Sequence, residues 1–220
     1  MALPFPPPYL CLVTDRSLRQ ERSLDEAVAQ AVEGGVNMVQ LREKDLPGGP
    51  LLELAARLRQ RTRGRALLFV NERVDVALAC GADGVQLGEQ ALPVMAARRL
   101  VPTGSGLLIG RSVHGAEGAA EAERQGADLL VAGSLFHTRS HPGVEPLGLT
   151  LLARIAAQAG VPVLGIGGVT AANAAQAIEA GAQGVAVISA ILAAPDPREA
   201  AKELWDVLRE AWNARGVRRD

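Results

Sequence analysis

The sequence has few aromatic residues, no excess of charge of either sign and no long apolar run. Phe, Trp and Tyr make up 3% of its 220 residues, and the formal net charge is -1. A nucleic-acid-binding protein needs cations to neutralise phosphates and often aromatic rings to stack on bases. No apolar run reaches the roughly 18 residues that a membrane span needs. We therefore expect a small-molecule partner, with no nucleic acid and no membrane.

Cysteine is also scarce. The two cysteines, Cys11 and Cys80, lie in apolar segments and lack the spacing of a metal-binding pair. This pattern predicts buried free thiols, which suits a reducing compartment. The proline-rich residues 1–8 lack the basic start and the apolar run of an export signal. We therefore expect a cytoplasmic protein.

Short apolar runs rich in β-branched residues alternate with longer Ala- and Leu-rich stretches of helical period. This alternation is typical of βα units around a parallel sheet that is covered on both faces. Eight units predict a single (β/α)8 barrel over residues 1–220, with residues 1–8 as an extension. An open doubly wound sheet is the alternative, but no GxGxxG motif follows the first strand. The strands are expected at Tyr9–Val13, Met38–Leu41, Leu67–Val70, Gly84–Leu87, Leu107–Gly110, Leu129–Ala132, Pro162–Ile166 and Val185–Ile188.

A weak internal repeat supports this count. Four segments place a glycine and then a polar residue between a helix and the next strand, and they end in Asn37, Asp83, Asp128 and Gln183. The glycine supplies the left-handed turn at the C-terminus of a helix, and the polar residue opens the next strand.

Cationic residues collect at the expected C-terminal ends of the strands, where a parallel barrel has its active site. Arg42 and Lys44 follow the second strand. They suit a carboxylate or phosphate ligand, because arginine presents a fork of donors and lysine a compact point charge. A salt bridge to Glu43 or Asp45 is the alternative.

Two glycines follow the seventh strand. Gly167 and Gly168 precede a helix that is expected to begin at Thr170, so their backbone N–H groups could approach a phosphate at its N-terminus. The loop after the eighth strand adds Ile188 and Ser189 to this cradle. Simple turn geometry between a strand and a helix is the alternative explanation of the two glycines.

His114 is the best placed of the three histidines, because it follows the fifth strand. An imidazole can take and give a proton near neutral pH, although a lone histidine is more often structural. No HExxH motif, Cys–His cluster or paired carboxylates indicate a transition-metal site. Further polar candidates for substrate binding at or after strand ends are Gln40, Asn71, Ser112, Thr138 and Ser140.

Six runs carry a resemblance to a known family. They are residues 9–16, 39–44, 71–75, 84–88, 110–114 and 165–168. In order and spacing they resemble the thiamine phosphate synthase and thiazole tautomerase superfamily, over nearly the whole chain. The resemblance implies an eight-stranded barrel that works in thiamine biosynthesis.

In the synthase branch, the resemblance implies that an aminomethylpyrimidine pyrophosphate loses its pyrophosphate and is captured by a thiazole phosphate. Two aspartates usually hold Mg²⁺ there, and they fall here on Glu72 and Ala91. A lysine that usually helps to bind the pyrophosphate falls on His141. Because Mg²⁺ is typically held by one or two carboxylates plus substrate phosphates, we expect this chain to be poorly equipped for that step.

The run from Gly110 to His114 belongs to the pattern of the tautomerase branch. The main hypothesis is therefore a thiazole tautomerase without a cofactor, in which His114 moves a proton as a carboxythiazole phosphate becomes aromatic. The resemblance then implies a phosphate site at Gly167, Gly168, Ile188 and Ser189, a carboxylate site at Arg42 with Lys44 as a second candidate, and a pocket lined by Ser112, Asn71 and Thr138.

Two other functions stay open. The first is a Mg²⁺-dependent thiamine phosphate synthase, and the second is a non-catalytic sensor of a phosphorylated ligand. A homo-oligomer is a further possibility, since Trp205 and Trp212 share one face of the last helix. Packing against the core explains these two tryptophans equally well.

Overall fold

The computed structural model describes residues 3–18, 21–137 and 146–217. It is a closed barrel in which parallel strands pair in chain order and β8 pairs with β1. The strands are β1 (Tyr9–Val13), β2 (Met38–Leu41), β3 (Leu67–Asn71), β4 (Gly84–Leu87), β5 (Leu108–Val113), β6 (Leu129–Gly133), β7 (Val163–Ile166) and β8 (Gly184–Val187). The predicted (β/α)8 barrel is therefore confirmed, and an open sheet is excluded.

Helices alternate with the strands and cover the outside of the barrel. A short 3-10 helix (Arg16–Leu18) follows β1. The α-helices of the described residues are α1 (Leu24–Glu33), α2 (Gly48–Thr62), α3 (Val74–Cys80), α4 (Val94–Leu100), α5 (Ala116–Arg124), α6 (Gly148–Gln158), α7 (Ala174–Glu179), α8 (Ser189–Leu192) and α9 (Pro197–Val217). None of these described helices is long and apolar enough to cross a membrane.

The predicted strand bounds are wrong at three positions that matter for the site. β3 includes the site residue Asn71, which is the register partner of Gln86 on β4. β5 runs on to Val113, which is the register partner of Ala132 on β6. Ser112 therefore lies within the strand rather than after it, because backbone pairing continues past the end of the apolar run. β8 ends at Val187, and Ile188 is the residue before α8.

The polar residues of the repeat bond to the neighbouring strand. At the N-terminal end of the barrel, a side-chain oxygen of three of the four accepts the backbone N–H of a residue on the preceding strand, whereas Gln183 bonds through its backbone. The pairs are Asn37 with Leu10 at 2.9 Å, Asp83 with Leu68 at 2.7 Å and Asp128 with Ile109 at 2.8 Å. The two aspartates also bind Arg59 and Arg98, each at 2.6 Å. The repeat therefore joins successive strands where they enter the sheet.

Alternating side chains divide the apolar residues into an inner and an outer core. The outer core lies between the sheet and the helices, and the inner core fills the barrel. Leu3 and Phe5 pack against the inner core, so the proline-rich segment helps to close the N-terminal end of the barrel. Both thiols are free. Burial raises the pKa of Cys11, inside the barrel, to about 12, and it also raises the pKa of the half-buried Cys80.

The last helix packs against α1 and α7 and also contacts β1. Trp205 and Trp212 are half-buried against the outer core. Gly35 has a φ of 113°, and a side chain there would overlap the ring of Trp205. Core packing thus accounts for these tryptophans, and the homo-oligomer stays a prediction.

The strand-joining role of Asp128 predicts a stability difference between two aspartates. Asp128→Ala leaves the N–H of Ile109 and the guanidinium of Arg98 without this acceptor, so we expect it to lower the free energy of unfolding by about 1–3 kcal/mol. Asp206→Ala, which removes an exposed carboxylate from α9, is the control and is expected to change it by less than about 1 kcal/mol. Urea denaturation measures both, and equal effects would contradict the role of Asp128.

Candidate active site

Polar side chains form a layer at the C-terminal end of the barrel interior. Gln40 Nε2 donates to Asn71 Oδ1 at 3.0 Å, and Gln86 Nε2 donates to Ser112 Oγ at 3.2 Å. Asn71 and Gln86 are register partners on β3 and β4, so the two pairs are adjacent. The structure therefore brings together three of the predicted binding residues, Gln40, Asn71 and Ser112. Their role in binding a substrate stays a prediction.

Gln86 was not among the predicted binding residues, although it belongs to this layer. It is 3% exposed. Gly110 on β5 makes room for it, because a Cβ at Gly110 would overlap Gln86 Oε1. A glutamine within an otherwise apolar strand, two residues after an inward-facing glycine, is the sequence signal that could have indicated this position.

Arg42 and Lys44 lie just beyond the end of β2, as expected. The backbone N–H of Arg42 donates to Thr14 Oγ1 at 2.9 Å, which ties this segment to the end of β1. Within the described ranges, neither the Arg42 guanidinium nor the Lys44 ammonium has an ion-pair partner. Two positive charges are thus free to meet an anion.

The carboxylates that were the alternative partners of these cations are bound to Arg16 instead. Arg16 Nη1 lies 3.2 Å from Glu43 Oε2 and 2.7 Å from Asp45 Oδ1, and Nη2 also contacts Asp45. The backbone N–H of Arg16 donates to Glu43 Oε1 at 3.1 Å. The Arg16 guanidinium holds the pKa of the Asp45 carboxyl below its usual range.

Glu72 lies just after β3 in an uncommon backbone conformation. Its φ is 60°, and its backbone N–H donates to the Gln86 carbonyl at 2.9 Å. Its Oε1 lies so close to Gly88 that a Cβ at position 88 would overlap it. The carboxylate has no ion pair or hydrogen bond to a described residue.

Glu72 is the one expected Mg²⁺ ligand position that carries a carboxylate. Ala91, at the other expected position, has no side-chain atom that can coordinate a metal. No group of three or more His, Cys, Asp and Glu side chains among the described residues could hold a metal by itself. A single free carboxylate still fits Mg²⁺, because this ion commonly takes its other ligands from water and substrate phosphates.

His114 lies just after β5, and its side chain is 53% exposed. Nδ1 contacts the Gly133 carbonyl oxygen, which can only accept, so we assign the proton of the neutral ring to Nδ1. Nε2 lies 3.7 Å from Glu89 Oε2. Arg111 holds the loop that carries Glu89, because its guanidinium donates to the carbonyls of Glu89 at 3.0 Å and Leu92 at 3.2 Å.

The helix that was expected at Thr170 begins instead at Ala174. Asn173 closes a turn before it, because Oδ1 accepts the Thr170 N–H at 2.8 Å and Nδ2 donates to the Gly168 carbonyl at 3.0 Å. An asparagine that bonds to nearby backbone in this way favours a turn over a helix. The predicted help of a helix N-terminus therefore does not apply to these two glycines.

Gly167 and Gly168 have φ angles of 99° and 66°. Side chains on them would overlap Ser134 and the His137 carbonyl, so packing between the loops after β6 and β7 already requires glycine. The N–H of Gly168 donates to no described residue and stays available to an anion. Ser189 begins α8, so its N–H lacks a partner within the helix.

Three predicted positions, Thr138, Ser140 and His141, lie outside the described residues. Their roles stay predictions.

The chain is similar to known proteins over most of its length. A family model described as thiamine monophosphate synthase matches residues 10–191. The thiamine-phosphate synthase of Roseiflexus castenholzii is 46% identical over 209 residues, which are 93% of this chain and 91% of that protein. That of Pyrococcus furiosus is 43% identical over 202 residues, 91% and 95% of the two chains. A solved structure of thiamine phosphate pyrophosphorylase from Pyrococcus furiosus has a TM-score of 0.84 at 43% identity, with 92% of this chain and 96% of that chain covered.

These relatives contradict the main hypothesis of a thiazole tautomerase. They are named thiamine-phosphate synthases, so the predicted isomerase was wrong and the synthase alternative fits better. The error has a physical reason. Ala91 and Glu72 were interpreted as the loss of a Mg²⁺ site, whereas one carboxylate can suffice when the substrate itself supplies phosphate ligands.

Proposed function

This chain belongs to the thiamine monophosphate synthase family and is an enzyme of thiamine biosynthesis, and from this premise we propose that it acts as a thiamine-phosphate synthase. Its substrates are then an aminomethylpyrimidine pyrophosphate and a phosphorylated thiazole, and its products are thiamine phosphate and pyrophosphate. The observation that carries the proposal is a pair of free cations, Arg42 and Lys44, beside the polar layer of a barrel whose relatives bear that name.

The reaction replaces one bond by another and needs no proton transfer. The C–O bond between the methylene carbon of the pyrimidine and the pyrophosphate breaks, and its electron pair leaves with the pyrophosphate. The thiazole nitrogen donates its lone pair to the methylene carbon and forms the new C–N bond. The protein must therefore align two substrates and stabilise the negative charge that grows on the leaving group.

Arg42 and Lys44 supply that stabilisation. The planar guanidinium can bind two phosphate oxygens at once, and the ammonium adds a compact positive charge. Both follow β2, next to the layer that contains Gln40 and Asn71. This arrangement puts the cations beside the place where the pyrimidine ring would lie.

The polar layer would hold the pyrimidine. Its amide side chains each offer donors and an acceptor, and an aminopyrimidine presents an amino donor beside ring-nitrogen acceptors. Gln40 and Asn71 use only part of this capacity in bonding to each other, and Gln86 and Ser112 likewise. Buried polar groups that are left unpaired by a wrong ligand give strong discrimination.

Glu72 would hold Mg²⁺, with substrate phosphates and water as the other ligands. When bound, the ion would supply positive charge that neutralises the departing pyrophosphate. Glu72 suits this task because its carboxylate is free of described partners and lies at the end of β3, one strand from Arg42. Ala91 adds nothing, so the chain would offer one carboxylate of its own.

The thiazole phosphate would be bound on the opposite side of the mouth. Gly167, Gly168, Ile188 and Ser189 remain the candidates, supported by the free N–H of Gly168 and the N–H at the start of α8. Backbone N–H groups bind phosphate well because they are fixed in place. Thr138 and Ser140 are further candidates for contact with this substrate.

His114 has a smaller role in this reaction than in a tautomerase. Its Nδ1 donates to the Gly133 carbonyl, and its Nε2 faces Glu89 at the rim, where the unprotonated nitrogen of the neutral ring can accept a hydrogen bond from substrate. We assign it substrate contact rather than proton transfer, because neither bond change moves a proton.

Arg42→Gln tests the pyrophosphate site. Loss of a charge-assisted fork costs about 1.5–3 kcal/mol, so we expect kcat/KM for the pyrimidine substrate to fall by about 10- to 100-fold. Steady-state release of pyrophosphate with both substrates measures this. Arg154→Gln, the same change at an exposed position of α6, is the control and should match wild type. An unaffected Arg42→Gln variant, or a wild type that forms no thiamine phosphate, would overturn the proposal.

Glu72→Gln tests the metal ligand. We expect wild-type activity to disappear with a chelator and to return on addition of Mg²⁺, and the variant to need about tenfold more Mg²⁺ for half-maximal rate. Titration of the initial rate with Mg²⁺ gives both values. Glu203→Gln, on the exposed face of α9, should titrate like wild type. If Glu72→Gln does so too, the ion is bound elsewhere.

His114→Asn separates substrate contact from proton transfer. Loss of a general acid–base lowers turnover by about 10²- to 10⁴-fold, whereas we expect less than about tenfold here. Measurement of kcat over a range of pH, with His137→Asn as the control, tests this. A loss of a hundredfold or more, together with a lost pH dependence, would show that the reaction does use a proton from His114.

A further inference from the structure

Positive and negative residues alternate along the segment after β2. Arg42 and Lys44 are separated by Glu43, and Asp45 follows. Considered alone, this segment is neutral, and its two cations could pair with its two carboxylates. Such pairing would compete with an anionic ligand, because a phosphate group would first have to displace a carboxylate.

A residue from another loop removes this competition. Arg16, in the 3-10 helix after β1, contacts Glu43 and Asp45 at the same time. Its Nη1 and Nη2 form a two-pronged contact with Asp45, which is a geometry that lysine could not provide. Both carboxylates of the segment are thereby paired with one guanidinium that lies outside it.

The contact between Arg16 and Glu43 combines burial of the carboxylate with several hydrogen bonds. The Glu43 side chain is 4% exposed, and it accepts both the backbone N–H and the guanidinium of Arg16. A buried carboxylate without a cation would be costly, so if Arg16 were absent Glu43 would take another positive partner. Arg42 and Lys44, on either side of it in sequence, are the candidates.

We propose that Arg16 is a positioning residue for the synthase reaction: it holds Glu43 and Asp45 so that Arg42 and Lys44 stay free to bind pyrophosphate. This inference rests on the proposed function. Arg16 acts through the other charges and needs no contact with the substrate.

The proposal differs from two simpler roles of Arg16. Arg16 could bind pyrophosphate directly, or it could merely fasten the loop after β1 to the segment after β2. In both cases, removal of Glu43 and Asp45 would not restore the pyrophosphate binding that is lost with Arg16. If Arg16 acts by holding the two carboxylates, their removal restores that binding.

The test compares pyrophosphate binding by three proteins. Isothermal titration with inorganic pyrophosphate, in the presence of Mg²⁺, gives the Kd of wild type, Arg16→Gln and the triple variant Arg16→Gln, Glu43→Gln, Asp45→Asn. We expect Arg16→Gln to weaken binding by about tenfold, and the triple variant to return to within about threefold of wild type. Glutamine at position 43 keeps an acceptor for the backbone N–H of residue 16, so the loop retains that bond.

Each remaining outcome overturns the inference. An unchanged Kd in Arg16→Gln means that the cations do not depend on Arg16, and a triple variant as weak as Arg16→Gln means direct contact or a fastening role. Arg209→Gln, which breaks an exposed ion pair with Asp206 on α9, controls for loss of one positive charge and should bind like wild type. Thermal unfolding of each variant confirms that it is folded.

The proposed function is judged separately in the same preparations. Wild type that forms thiamine phosphate while Arg16→Gln binds pyrophosphate normally refutes only the role of Arg16. Wild type that neither forms thiamine phosphate nor binds pyrophosphate refutes both.

Discussion

The pairing of β1 with β8 is the constraint on which the rest of this structure depends. Four residues of β1, from Tyr9 to Leu12, are in register with β8, and Gly184 is required there because a side chain would overlap Tyr9. Closure removes both free edges of the sheet. Because all strands are parallel, their C-terminal ends meet at one mouth, so residues as distant in sequence as Arg42 and Ser189 share one rim.

Two kinds of chemistry divide that rim. The ends of β1 to β4 carry charged side chains, of which Arg16, Arg42 and Glu72 are examples. The ends of β7 and β8 offer glycines and backbone N–H groups instead. This division suits a reaction with two anionic groups. One departs, so the negative charge that grows on it must be stabilised by cations, whereas the other is a phosphate that only has to be bound. The polar layer of Gln40 and Asn71 lies beside the charged half.

Much of the fold could be predicted because local pattern and tertiary structure agree in it. β1, β2 and β4 have the predicted bounds, since each is an apolar run that ends where pairing ends. The predicted start of α7 at Thr170 was wrong because the side chain of Asn173 bonds to nearby backbone, a choice that periodicity does not reveal. The longer β5 was missed because pairing with β6 carries polar residues into the strand.

The site was harder to predict than the fold. The positions of Arg42 and Asn71 follow from the strand ends, but the partners of Glu43 depend on the register between β1 and β2, which places Arg16 beside it. The wrong choice of a tautomerase came from the run Gly110–His114, which fits the pattern of that branch, and from the departures at the expected Mg²⁺ ligands. Ala91 was weighed as a lost ligand, although the phosphates of a substrate can complete a Mg²⁺ site that has one carboxylate.

A phosphorus NMR time course of the wild-type protein, with the pyrimidine pyrophosphate, the thiazole phosphate and Mg²⁺, tests the central claim most directly. The account predicts that the signals of free pyrophosphate and of thiamine phosphate grow at equal rates, and that neither appears when the thiazole phosphate is left out. A spectrum in which both substrates persist, or in which pyrophosphate is released while the thiazole phosphate is not consumed, would contradict the assignment of this barrel as a thiamine-phosphate synthase.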